Sequence, residues 1–165
     1  MTMQPIKLWL ALVLGLALAA TAMAQQPPTT SGGSGMALLN LENTVALHGY
    51  DPVAYFTDNE AVKGSKRILE RLGGATYYFA SGSNRYEFLR DPTRYQPQFG
   101  GYCAASMAMG RLEDINPNVF VIFEGKLYLF NNPEVQAVFM RDPRRSIDEA
   151  RQQYFRLAAQ QRSTY

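Results

Sequence analysis

One thiol, one imidazole and two neighbouring thioethers are the side chains of this chain best suited to soft-ligand or nucleophilic chemistry. Cys103 is the only cysteine and His48 the only histidine. Cys103 stands in the run Gly100-Gly101-Tyr102-Cys103-Ala104-Ala105-Ser106-Met107-Ala108-Met109-Gly110. Two glycines followed by small residues predict a short, thin helix with Cys103 in its first turn. A helix N-terminus offers free N–H groups that lower a thiol pKa and favour thiolate. Met107 lies four residues on, and so on the same helical face as the cysteine.

Three chemistries fit those residues. Cys103 with Met107, Met109 or His48 makes a donor set of thiolate, thioether and imidazole, which suits a soft ion such as copper(I). Met107 and Met109 are about 200° apart around a helix, so both reach one ion only where the helix ends, and Gly110 supplies an ending. Alternatively, Cys103 is a nucleophile in thiol redox chemistry, with Tyr102, Ser106 and His48 as candidate neighbours. No second cysteine can resolve an oxidised Cys103, so that reading needs a small thiol, an oxidant or a partner protein. The third reading is packing: Cys103 fills a core, His48 is a structural histidine, and the protein is a non-catalytic ligand-binding or scaffold module.

The wider sequence narrows the field. No catalytic triad, phosphate loop or dense His and carboxylate cluster is present, and a single histidine argues against hydrolase and zinc-enzyme readings. Sixteen basic against fourteen acidic residues give a net charge of +2, a poor match to nucleic acid. Lys7 precedes an apolar run from Leu8 to Ala20, and Ala22-Met23-Ala24 has the small residues of a secretory cleavage site. Residues 1–24 are therefore expected to be a signal peptide cleaved after Ala24, which sends the protein to the periplasm or outside the cell. The run is too short for a stable membrane anchor, and no cysteine follows it for a lipid. Residues 25–36, rich in Pro, Thr, Ser and Gly, read as a flexible linker, and 37–165 as one domain.

Within that domain, Val45-Ala46-Leu47 suggests a short strand, and Asp51-Pro52 a capped helical turn. Lys66–Arg71 alternates like an edge strand, and Ala75–Ala80 is apolar and aromatic enough for an inner one. Ser83 or Asn84 is expected to cap a helix to Arg90, which Asp91-Pro92 stops. Val119–Phe123 and Lys126–Phe130 flank Glu124-Gly125 as a hairpin. Asn132-Pro133 opens a helix, and Ser146 with Glu149 reads as the capping box of the last one.

A shift of 51 residues, Tyr77 onto Tyr128, aligns Thr76–Arg94 with Leu127–Arg145 without a gap. Phe79 and Phe130, Phe88 and Phe139, and Asp91-Pro92 and Asp142-Pro143 coincide. The expectation is an α+β single domain built from two strand-helix units, with a hairpin and short helices packed on an antiparallel sheet.

Tyr77–Tyr95 resembles the central motif of the YHS domain family. His48-Gly-Tyr-Asp-Pro-Val-Ala-Tyr-Phe56, Pro97-Gln-Phe-Gly-Gly-Tyr-Cys-Ala104 and Gly125–Phe130 are similar to the exported bacterial branch of that family. The resemblance spans nearly all of 37–165. It implies an association with heavy metals, copper especially, and some members of the branch carry selenocysteine where Cys103 stands. Metal-type members resemble Tyr-Phe-Cys-Ser-x-x-Cys, whereas the two cysteine positions here are Ala80 and Asn84, neither a ligand for a soft ion. The family's usual metal site therefore does not carry over, and soft-metal binding through Cys103, Met107, Met109 and His48 is expected from the donor chemistry of those residues, with a thiol-dependent oxidoreductase as the alternative.

Overall fold

The computed structural model describes residues 37–162, so the expected signal peptide and linker lie outside the described residues. The chain opens with β1 (Leu41–Glu42) and β2 (Val45–Ala46), runs through α1 (Ala54–Thr57), and forms a hairpin of β3 (Ser65–Leu72) and β4 (Ala75–Phe79). Helices α2 (Gly82–Arg90), α3 (Pro92–Tyr95) and α4 (Ala104–Ala108) follow. A second hairpin, β5 (Asn116–Phe123) and β6 (Lys126–Phe130), leads into α5 (Pro133–Phe139) and α6 (Pro143–Arg162). The class is α+β, as expected.

The sheets depart from the single antiparallel sheet expected from sequence. There are two: a four-stranded sheet in the order β1-β2-β4-β3 and a separate β5-β6 pair. β2 runs parallel to β4, with Val45 opposite Thr76, and Pro97 makes a parallel bridge to Leu127 of β6. In each case a three-residue turn with positive φ, Leu47-His48-Gly49 or Phe99-Gly100-Gly101, throws the chain off the sheet before it returns as a hairpin. The two hairpins thus stay apart, and their inner strands, β4 and β6, supply buried rings to a common core.

The internal correspondence extends well beyond the segment visible in sequence. Both hairpins pair antiparallel with an irregularity at the same place, between Ser65 and Leu69 and between Asn116 and Phe120. In each, the first residue's side chain accepts an N–H two residues on: Arg67 N–H to Ser65 Oγ at 3.2 Å, and Asn118 N–H to Asn116 Oδ1 at 3.1 Å. Each following helix sends a side chain back to the bulged strand, Arg85 Nε to the Leu69 carbonyl and Gln136 Nε2 to the Phe120 carbonyl. The rings of Phe79 and Phe88 lie 5.3 Å apart, as do those of Phe130 and Phe139. With one further residue of offset, the turns match as well: φ is 54°, 52° and 79° at Leu47, His48 and Gly49, and 53°, 63° and 82° at Phe99, Gly100 and Gly101. Gly49-Tyr50-Asp51 therefore corresponds to Gly101-Tyr102-Cys103. Asp51 N–H donates to the Val62 carbonyl, as Cys103 N–H does to that of Glu113.

Two caps differ from expectation. Ser81, not Ser83 or Asn84, caps α2 by accepting the Asn84 N–H at 3.1 Å. The last helix starts at Pro143, with Asp142 Oδ1 accepting the Arg145 N–H. Ser146 thus lies inside the helix and donates to the Phe139 carbonyl, while Glu149 pairs with Arg145 at 2.9 Å, so no capping box forms. An Asp directly before Pro at the first helical position is the stronger start signal. Asn132 caps α5 as read from sequence.

The segment 38–41 is strapped across the turn of the second half. Asn40 N–H donates to the Gly100 carbonyl, and the hydroxyls of Tyr154 and Tyr102 donate to the carbonyls of Leu38 and Leu39. A Cβ at Gly100 would sit 1.8 Å from the Leu38 oxygen, on a backbone already at φ +63°. At Gly125, φ is +71° but a Cβ would meet nothing within 4 Å. Gly125→Ala is expected to cost about 1 kcal/mol, the left-handed penalty alone. Gly100→Ala is expected to cost roughly 3 kcal/mol or more, because the strap must also move. Urea unfolding of the two variants checks the difference.

Candidate functional site

Cys103 does not stand in the first turn of α4; it is the residue just before it, and its side chain caps nothing. Its side chain is 0 % exposed and belongs to the core. Met107 is equally buried, consistent with the shared face read from sequence, whereas Met109 at the helix end is 57 % exposed. The two methionines therefore point to different environments, as their spacing on a helix requires.

His48 lies elsewhere again. It occupies the positive-φ turn after β2, where Nε2–H donates to Asp114 Oδ1 at 2.8 Å and Nδ1 stands 3.8 Å from Glu42 Oε2. Asp114 Oδ1 also accepts from Asn40 Nδ2 and from the Ile115 N–H, each at 2.8 Å. Partial burial pushes the Asp114 carboxyl up, but the hydrogen bonds from Asn40, His48 and Ile115 outweigh it and hold it below the usual range. Lys63 Nζ donates to the His48 carbonyl at 2.7 Å and sits over the Tyr50 ring. This cluster ties the strap, the first turn and the loop before β5 together. Among the described residues no group of three or more His, Cys, Asp or Glu side chains is arranged to hold a metal ion. The four sequence candidates thus separate into a buried pair, an exposed methionine and a histidine engaged with carboxylates.

The polar interior is centred on Asp51, also 0 % exposed. Its Oδ1 accepts the Val53 N–H at 2.8 Å in a turn just ahead of α1, whose cap position is Val53 and not Asp51 as expected, and its Oδ2 accepts the Ala80 N–H at 2.8 Å and Asn84 Nδ2 at 2.7 Å. Ala80 and Asn84 are thus joined by one buried carboxylate. In the second half the positions corresponding to Asp51, Ala80 and Asn84 hold Cys103, Asn131 and Val135. A carboxylate at 103 would have a valine at the place of its side-chain donor, so a residue that packs as a small hydrophobe, such as Cys, suits that interior. Asn131 turns instead to Glu113, whose carboxylate also accepts from Ser106 Oγ at 2.7 Å and pairs with Arg111 at 2.9 Å. Sequence reasoning missed Asp114, because nothing local marks a carboxylate that serves a residue 66 positions away, and it also missed Glu113. Asp51 reads from sequence as a cap, whereas it serves as a link from the turn before α1 to β4 and α2.

Three tyrosines complete the environment. Burial pushes the Tyr55 hydroxyl far above its ordinary value, and the nearby Tyr50 and Asp51 add to this. It donates to the Pro117 carbonyl across the two halves. Burial also raises Tyr77, against the lowering effect of its bond to Gln96, and raises Tyr102. No helix among the described residues is long and apolar enough to cross a membrane.

Met107→Ala is expected to lower stability by about 3 kcal/mol, a buried large-to-small change, and Met109→Ala by less than about 0.5 kcal/mol. Equal effects in chemical denaturation would contradict these placements. A lowered Asp114 pKa contributes stability that is present above the unfolded carboxyl value, about 3.9, and is lost as pH falls through the folded value. Urea midpoints should therefore fall more steeply in wild type than in Asp114→Asn below about pH 4, and run parallel above about pH 5.

Comparison with protein-family descriptions, with curated proteins and with solved structures returned no match.

Proposed function

We propose that this chain is an exported module of the YHS type that works by binding or scaffolding, with Cys103 as a core residue and not as a catalytic or metal-ligating thiol. The observation that carries this reading is the place of Cys103: fully buried, capping nothing, and standing in the second half where Asp51 stands in the first. A thiol in that position is inert to solutes until the core opens. The copper reading needs Cys103 with Met107, Met109 or His48: Met107 shares the closed core with Cys103, Met109 is at the surface, and His48 is engaged by carboxylates. The redox reading requires access to the sulfur.

Export rests on the N-terminal sequence, and mature protein is expected to begin at Gln25. N-terminal sequencing of protein recovered from the cell envelope tests that directly.

Thiol labelling tests the module reading. A disulfide reagent should react with native Cys103 only at the rate of global unfolding, and fully in denaturant. Cu(I) titration of wild type and Cys103→Ser should give the same result. Fast labelling of the folded protein, or a Cu(I) affinity that depends on Cys103, would overturn it.

A further inference from the structure

The two corresponding turns meet over a cavity of about 180 Å³. Ala46 and Leu47 line it from the first half, Pro97 and Gly101 from the second, and Leu39 of the N-terminal strap forms part of its wall. Both members of the hydrogen bond between Gln96 Nε2 and the Tyr77 hydroxyl, 3.2 Å, also face it. The lining is mixed, apolar and polar, and the cavity is partly open to solvent; ligand pockets favour junctions of this kind, between substructures.

Three features define what fits. The volume is close to that of an apolar cavity of roughly 150 Å³ that holds one benzene molecule, so a single ring is the right size. No side chain lining the cavity is charged, so an ionic ligand would lose its hydration without a counter-charge. Tyr77 is only 3 % exposed, and its oxygen accepts from Gln96, which leaves the phenolic hydrogen to be given away. A ligand carbonyl is the complementary group.

We propose that this cavity binds a neutral single-ring molecule bearing a carbonyl acceptor, with Tyr77 donating to that carbonyl and Gln96 fixing the direction of the hydroxyl. The inference deepens the binding-module reading, and rests on it, by naming the site and the ligand class.

The probes are benzamide, benzoate and toluene, titrated into the folded protein and followed through backbone amide resonances. Benzamide is expected to shift Ala46, Gln96 and Gly101 with a Kd of about 1 mM or tighter, in line with its size. Benzoate at neutral pH should leave them unmoved. Tyr77→Phe should weaken benzamide about five- to tenfold, the worth of one hydrogen bond, and leave toluene unchanged. Ala46→Leu, which fills the space, should abolish binding of both. Benzoate binding as well as benzamide, no shift at these residues with any probe, or a folded Ala46→Leu that binds like wild type would each overturn the proposal. An inert Cys103 together with an empty response to the probes removes this inference alone. A reactive Cys103 in a protein that still takes benzamide removes the module reading and leaves the cavity standing.

Discussion

Three N–H groups converge on the side chain of Asp51, and most of the first half is held in place by that convergence. One comes from the start of α1, one from the end of β4 and one from the first turn of α2. A buried carboxylate is tolerable only when its acceptors are filled, so the three segments cannot drift apart without exposing an unsatisfied charge or polar group. The Asp51 N–H is spent as well, on the Val62 carbonyl before β3. A single residue thus connects the turn, the hairpin and the helix.

The second half solves the same geometric problem with apolar contacts. Cys103 keeps the backbone bond, to Glu113, while valine stands at 135, the position corresponding to Asn84. Polar work moves outward to Glu113, which collects Ser106, Arg111 and Asn131 at a half-buried site. Two copies of one backbone plan therefore differ in how they stabilise their centre: one by a satisfied carboxylate, the other by exclusion of water around sulfur. The cysteine follows from that difference without any appeal to reactivity.

Much of this was open to reading from residues. Aromatic and β-branched runs marked β4, β5 and β6, and Asn132-Pro133 marked the start of α5, because those signals are local. The matching Asp-Pro and Phe positions announced a repeat. What escaped was whatever depends on chain segments far apart: the parallel contact of β2 with β4, the split into two sheets, and the partnership of His48 with Asp114. The correspondence of Cys103 with Asp51 also escaped, since one residue of slippage between the turns and the hairpins hides it from an ungapped alignment. Cap positions slipped where capping residues crowd together, as at α2, which Ser81 caps and not the expected Ser83 or Asn84.

The side chains that reach back from α2 and α5 to the bulged strands have a consequence for the protein in a crowded compartment. Among the described residues β3 is the last strand of its sheet, and β5 pairs only with β6. Such strands invite other chains to add to them and so to aggregate. Arg85 occupies the Leu69 carbonyl, Gln136 occupies that of Phe120, and the irregular pairing at both places breaks the flat ladder a newcomer would need. Each half carries its own guard against intermolecular strand addition, supplied by the helix that follows it in the chain.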